Sequence, residues 1–315
     1  MIKQKEEADV MVGQRIKRGM GWLPDYPDFR DYKVDQDTVS SRLKRLGQQD
    51  SVKAMLAKVG VLKATKTKLP DNVDLRKWCS PSEDQDSLGS CTAHAGVGII
   101  EYFERRAFNK HIDASRLFLY KVTRNLLNWH GDTGAFLRTT MEAMVLFGVP
   151  PEEYWQYNKV DFDKEPGAFL YAFAQNYQTI SYYRLDPPET PKDVLLTRIK
   201  TSLAAGLPSM FGLSVYSSIE QSEKTGAIPY PIQGEKLVGG HAVIAVGYDE
   251  KIRIKNGNPE AQETTGALLI RNSWGSEWGE EGYGWLPYAY VLNGLAIDWW
   301  SLLKNEWVDT GEFKF

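Results

Sequence analysis

Cysteine and histidine are scarce: the 315-residue chain holds two of the first and four of the second. Two cysteines exclude a disulfide-rich secreted scaffold, because one bridge at most can close. None of the six sits at a paired zinc spacing such as C-x-x-C or H-x-x-x-H, so neither a metal nor another cofactor is expected. The opening stretch, MIKQKEEADVMVGQRIKRGM, is charged throughout and lacks the apolar core of a secretory signal. No apolar run is long enough to span a membrane, so no membrane partner is expected. A cytoplasmic location is the default reading, with export by a route that reads no N-terminal signal left open. Internal repeats and low-complexity tracts are also missing.

What is present describes an ordinary globular protein, 42% hydrophobic, 25% charged and 12% aromatic. Its length allows one large or two medium domains. The net charge of −3 hides an asymmetry: residues 1–68 carry 15 Lys/Arg against 9 Asp/Glu, a balance of +6, which leaves −9 for the rest. A basic leader on an acidic body means either nucleic-acid binding or a segment that docks on its own protein. The basic residues are scattered and no nucleic-acid motif accompanies them. Self-docking is therefore the expectation, with no nucleic-acid partner and a monomeric chain.

Residues 1–68 read differently from the remainder. "GWLPDYPDFRDY" (Gly21–Tyr32) is rich in proline, which favours an extended path over a helix. Leu43, Leu46, Val52, Met55 and Leu56 then mark one or two short amphipathic helices between Val39 and about Val61, followed by a Lys/Thr-rich linker over Lys63–Lys68. From Leu69 the chain reads as a compact body. Helices are predicted from Cys91 to about Asn109, with Ser90 as N-cap, and over Ala114–Asn128 and Phe136–Gly148. Beyond about Phe169 the pattern changes. Tyr177–Leu185 alternates like a strand, Pro191–Gly206 is a helix between proline and glycine, and "PSMFGLSVY", "HAVIAVGYD" and "GALLIRNSW" are short apolar strands. Helices first and strands later predict an α+β protein with two unlike lobes. The expected division is 1–68 leader, 69–168 helical lobe and 169–315 β-rich lobe.

Cys91 lies in "DQDSLGSCTAHAG", at the first turn of a predicted helix. A cysteine there is a packed apolar residue, half of a disulfide, a metal ligand or a nucleophile. The unpaired N–H groups and dipole of a helix start stabilise a thiolate, which favours the last. A nucleophilic thiolate needs a histidine, and a third group to orient that histidine. His111 and His130 sit in polar surroundings and read as surface residues. His94 follows Cys91 by three residues on the same helix, where pairing geometry is poor, and reads as packing. His241 differs: it follows "VGG" and opens a strand, and its glycines let another chain approach closely. Thirty-one residues later, Asn272 ends an apolar strand in "RNSWGSEWGEEGYGWLP". Its carbonyl can accept from one imidazole nitrogen, and an indole over that bond would keep water out. Cys79 reads as a free or packed thiol.

Three blocks together resemble the papain-like cysteine peptidases: Gln85…Gly89-Ser90-Cys91, Gly240-His241-Ala242-Val243, and Asn272-Ser273-Trp274-Gly275…Trp278-Gly279. They occur in the family's order, and the resemblance runs from about Leu69 to Tyr290, with "LPDNVDLR" similar to the family's mature N-terminus. It implies a two-lobed fold, a helical left lobe and a β-barrel-like right lobe with the active-site cleft between them. It implies Cys91 as nucleophile, His241 as general acid/base, Asn272 as its orienting partner, and Gln85 with the Cys91 N–H as oxyanion donors. Such donors contribute about 3–4 kcal/mol each to the transition state. Trp274 matches the shielding indole. "GDTGAF" resembles the glycine strand that pairs with substrate backbone, with Gly134 and Ala135 at its centre. Gly240 and Ala242 would flank the pocket for the residue two before the cut.

The activity implied is a cysteine endopeptidase acting on peptides or proteins without a cofactor. A transamidase, deamidase or exopeptidase with the same site, or a non-catalytic binding protein on the fold, are the alternatives. The leader resembles that of some bacterial members, and is expected to lie across the cleft and block it. Four departures stand out. The family usually has a bulky aromatic after the nucleophile, where this chain has Thr92 and His94 in "CTAHA". Asp86 replaces a glycine, and as a nearby carboxylate is expected to disfavour the thiolate or to select basic substrates. Leu88 replaces a disulfide cysteine, which suits a reducing compartment. Gly240 replaces a frequent aspartate, so the family's pH behaviour does not carry over.

Overall fold

The computed structural model describes residues 18–29, 31–45, 47–62, 68–178 and 181–314. Leu46, the linker at 63–67 and the first 17 residues lie outside that set. Residues 18–29 and 31–40 contain neither helix nor strand, and Pro24 and Pro27 favour the extended path of the first of these. Two short helices follow, α1 (Ser41–Arg45) and α2 (Val52–Lys58). Ser51 caps α2 by accepting the Ala54 N–H at 3.1 Å, and Val52, Met55 and Leu56 turn into the core.

The body opens with β1 (Asn72–Asp74), then α3 (Cys91–Phe108), α4 (Arg116–Leu126), α5 (Leu137–Leu146) and α6 (Ala168–Ala174). The second half holds β2 (Ser181–Arg184), α7 (Lys192–Ala204), β3 (Ser209–Tyr216), β4 (Leu237–Ile254), β5 (Thr264–Arg271), β6 (Tyr283–Pro287), α8 (Tyr288–Leu292), β7 (Ala296–Leu303) and α9 (Asn305–Asp309). The strands form one antiparallel sheet in the order β2-β7-β3-β4-β5-β6, with β1 added to β4. This is an α+β fold of two unlike lobes.

Helix α3 is the axle. Every residue from Cys91 to Phe103 is buried, so the helix is covered all round along that stretch and sits between the lobes. Gly98 lets it lie against β5: a Cβ there would stand 2.0 Å from Arg271 Nη1. Asn109 ends α3 in the left-handed conformation, φ 52°, returning its N–H to the Arg105 carbonyl. Ser90 does stand at the N-cap position, but its side chain does not cap the helix. β4 is longer than the apolar run suggests: pairing with β3 carries its start at Leu237–Gly240, and pairing with β1 and β5 carries its polar C-terminal end. β7 was not foreseen. Its Trp299 stacks on Phe211 of β3 at 3.8 Å, filling the sheet's inner face. Among the described residues, no helix is long and apolar enough to cross a membrane, and no group of three His, Cys, Asp or Glu could hold a metal.

Candidate active site

Two distant loops are stitched together at the cleft. Gln85 N–H donates to Ser273 O at 2.9 Å, and Gly275 N–H to Glu83 O at 3.1 Å. Ser273 Oγ donates to Gln85 Oε1 at 2.5 Å, which fixes the orientation of the carboxamide. The opposite end, Nε2, donates to Leu88 O at 2.8 Å and to Gly19 O at 3.0 Å. Asp86, next in sequence, has φ 53°, a backbone conformation that glycine takes freely and Asp tolerates. Its carboxylate pairs with Lys159, and that pairing holds its pKa below the usual carboxylate range. The expected pressure of Asp86 on the thiol is therefore met by a cation of its own, a correction to the reading from sequence.

His241 is carried on β4 opposite Leu213 of β3. Its Nε2 lies 2.7 Å from Asn272 Oδ1. A carbonyl oxygen only accepts, so Nε2 carries the hydrogen and a neutral ring keeps its lone pair on Nδ1. Ser273 N–H donates to the same Oδ1 at 2.8 Å, fixing the Asn272 amide. Trp274 stacks on the imidazole at 4.6 Å and 24°, with Trp278 edge-on behind it at 5.5 Å. Nδ1 is buried without a hydrogen-bond partner. Cys91 is fully buried, its sulfur met by the backbone N–H of Gly21 at 3.3 Å.

That N–H belongs to the leader, which lies through the site. Trp22 N–H donates to Gly240 O at 3.2 Å, Ala135 N–H to Gly21 O at 2.8 Å, and Leu23 N–H to Ala135 O at 3.1 Å. Gly134 allows this approach: its φ is 73°, and a Cβ there would stand 2.2 Å from Gly21 O. The Gly134 strip is anchored beside the nucleophile, because Asp132 Oδ1 accepts from Gly89 N–H at 2.9 Å and from Tyr120 OH at 2.5 Å. The Trp22 indole fills a pocket against Gly212, where a Cβ would meet the ring at 1.8 Å, and its Nε1–H donates to Asp298 Oδ2 at 3.2 Å. On the other side Arg18 lies over Trp274 at 4.9 Å and pairs with Glu223 at 2.6 Å.

Burial under the leader sets the electrostatics. It pushes the Cys91 thiol up to about 11, against the pull of backbone N–H groups of Ala242, Gly21, Thr92 and Trp22. The same burial brings His241 down to about 4, with the Asn272 hydrogen bond acting the other way and the Arg18 charge adding to it. Thiol and imidazole are both neutral here. The helix start alone predicted a thiolate, but desolvation wins while the cleft is covered.

Cys91, His241, Asn272 and Gln85 thus meet in one cleft, with Trp274, Gly134, Ala135 and Gly240 around them and the Ala242 N–H beside the sulfur. His111 and His130 are exposed, and Cys79 is a buried free thiol. Sequence reasoning missed Gly212, Asp298, Ser273 and Tyr157. Only Ser273 had a signal, standing within the Asn272 block. Gly212 and Asp298 become neighbours through the sheet alone, and Tyr157 reaches the Gln85 carbonyl at 3.0 Å from a loop of the helical half.

Residues 69–292 match the family described as papain family cysteine protease. The chain is 32% identical over 299 residues to an uncharacterized peptidase C1-like protein of Acanthamoeba polyphaga mimivirus, covering 91% of this chain and 87% of that one. It is 26% identical to cysteine proteinase 3 of Solanum lycopersicum, over 94% and 77% of the two. Xylellain, a cysteine protease from Xylella fastidiosa, superposes with a TM-score of 0.67 at 31% identity, over 92% of this chain and 97% of that one. Procathepsin L 3 of Tenebrio molitor has the same fold, with a TM-score of 0.58 at 17% identity. With the family match spanning most of its length, the chain belongs to the papain family of cysteine proteases and is a peptidase-type hydrolase.

Proposed function

We propose that this chain is a cysteine endopeptidase that its own leader holds shut. The observation that carries the reading is the arrangement around Cys91: an imidazole fixed by Asn272, a carboxamide N–H of Gln85 turned to the cleft, and a leader segment hydrogen-bonded to both walls. On this reading residues 1–68 are the leader, 69–168 the lobe carrying Cys91 and 169–315 the lobe carrying His241 and Asn272. His241 Nδ1 takes the Cys91 proton and the thiolate adds to a substrate carbonyl carbon. The oxyanion is held by Gln85 Nε2–H and the Cys91 N–H. Collapse breaks the C–N bond, the amine leaves with the proton from His241, and a thioester remains. Water, deprotonated by His241, then adds to the thioester and releases the acid and the thiol.

The leader's placement suits inhibition better than self-cleavage. The carbonyl held by Gln85 is that of Gly19, whereas the group against the sulfur is the N–H of Gly21. The Gly21 carbonyl is spent on Ala135. Among the described residues, the leader carbonyl that Gln85 holds is not that of the peptide whose N–H meets the sulfur.

A peptide-library cleavage profile tests this on the full chain and on a chain beginning at Leu69, with Cys91→Ala as control and a primary amine added in parallel. Hydrolysis products that need Cys91 and increase without the leader are expected. Equal activity of the two chains would remove the inhibitory leader from the reading. Amide products in place of acids would make the protein a transamidase. No reaction in either chain would leave a binding protein.

A further inference from the structure

His94 takes no part in the chemistry above, although it sits one helical turn from Cys91. It is buried, with Nδ1 3.1 Å from the Ser90 carbonyl oxygen and 3.3 Å from Ser90 Oγ. Its ring meets Tyr157 edge-on at 5.0 Å. Counting hydrogens decides which contact is the bond. Tyr157 OH lies 3.0 Å from Gln85 O, which can only accept, so the phenol hydrogen is spent there. Ser90 Oγ lies 2.7 Å from the same phenol oxygen and donates its one hydrogen to it. No hydrogen remains for Nδ1 to accept. Nδ1 therefore carries its own and donates to the Ser90 carbonyl. Nε2, buried without a partner, is then a bare lone pair. The other tautomer would bury an unpaired N–H, the costlier arrangement.

The Ser90 carbonyl and the Cys91 N–H are the two ends of one planar peptide. A carbonyl that accepts hydrogen bonds makes the N–H of the same amide a stronger donor and fixes its plane. The Ser90 carbonyl accepts two, from His94 Nδ1–H and from the His94 backbone N–H at 3.1 Å. We propose that His94 is a positioning residue for the oxyanion site: through the Ser90 carbonyl it aims and polarises the Cys91 N–H, while Tyr157 in the same chain of hydrogen bonds holds the Gln85 backbone. Burial brings His94 down to about 3, so it stays neutral and keeps this tautomer at any working pH. The inference rests on the peptidase reading.

The test compares His94→Phe and His94→Asn with wild type on the full chain. Phenylalanine keeps an aromatic ring without the donor. Asparagine places its Nδ2–H near the position of Nδ1. Two reactions of Cys91 are followed: peptide hydrolysis, which develops an oxyanion, and alkylation by iodoacetamide, which does not. His94→Phe is expected to lose about tenfold in kcat with KM and alkylation little changed, and His94→Asn to recover most of it. Nitrogen NMR of the wild-type imidazole is expected to show Nδ1 protonated and Nε2 bare. Unchanged kcat in His94→Phe, equal losses in hydrolysis and alkylation, or an Nε2–H tautomer would each overturn the proposal. If His94→Phe fails to fold, the tautomer and His94→Asn decide. If Cys91 is alkylated yet neither wild type nor the uncovered Trp22→Ala chain hydrolyses peptide, the peptidase reading itself fails, and this proposal with it.

Discussion

A thiol takes its acidity from its surroundings, and Cys91 is a contest between two of them. The start of α3 and four backbone N–H groups favour the thiolate, yet burial under Gly21 and Trp22 raises the thiol to about 11. At neutral pH the covered thiol is then protonated. Return of water to an opened cleft reverses the larger effect and leaves the N–H groups to act. Gln85 has the opposite character, a neutral group whose direction is everything. Ser273 holds its Oε1, so Nε2 faces the cleft in the resting protein. Gln85→Ala is expected to lower kcat about 10²–10³-fold, with alkylation of Cys91 little changed. A parallel fall in both rates would place Gln85 in folding rather than in oxyanion binding.

Strands rather than loops position the cleft's walls. β3 and β4 pair with Gly212 beside Ala242 and Leu213 beside His241, so the pocket floor and the imidazole share one register. Gly212→Ala adds a Cβ 1.8 Å from the Trp22 ring. Expulsion of the indole is expected, read as at least tenfold faster alkylation of Cys91 in the full chain, on the scale of a disrupted buried aromatic. An unchanged rate would mean that Trp22 does not hold the cover down. The elements themselves were largely legible. Apolar runs between Gly and Pro marked β3, β4 and β5, and helical stripes marked α3, α4, α5 and α7. β7 was not, because "IDWWSLL" has aromatics on both faces and no alternation to read. Asp298, within it, sits in the left-handed conformation at φ 63° and receives the Trp22 and Trp300 indole N–H groups. Nothing local announces such a role; it exists only where β7 meets β3 and the leader.

On the scale of the molecule the leader is a strap across both lobes. The charge count predicted a basic leader drawn to an acidic body, and Arg18–Glu223 and Lys58–Asp309 do follow that sense. The most buried contacts run the other way. Asp31 of the leader binds Arg138 of α5 at 2.8 Å and Arg184 of β2 at 3.5 Å, joining one lobe to the other. Net charge misled here because ion pairs are made by particular buried groups, and a leader of balance +6 can still dock through its acids. Removing one partner of such a pair costs about 3–5 kcal/mol. Asp31→Asn is expected to loosen the strap, seen as faster proteolysis of the leader by an added protease and higher peptidase activity of the full chain. Unaltered proteolysis would show that the remaining contacts suffice.

The most direct measurement is peptide hydrolysis at neutral pH by the full chain, wild type beside Trp22→Ala and Cys91→Ala. Trp22→Ala removes an indole that fills the cleft against Gly212 and leaves Cys91, His241, Asn272 and Gln85 unchanged. An uncovered Cys91 predicts turnover at least about tenfold above wild type, and none in Cys91→Ala. Equal turnover by wild type and Trp22→Ala, or turnover that survives loss of Cys91, would contradict a peptidase held shut by its own leader.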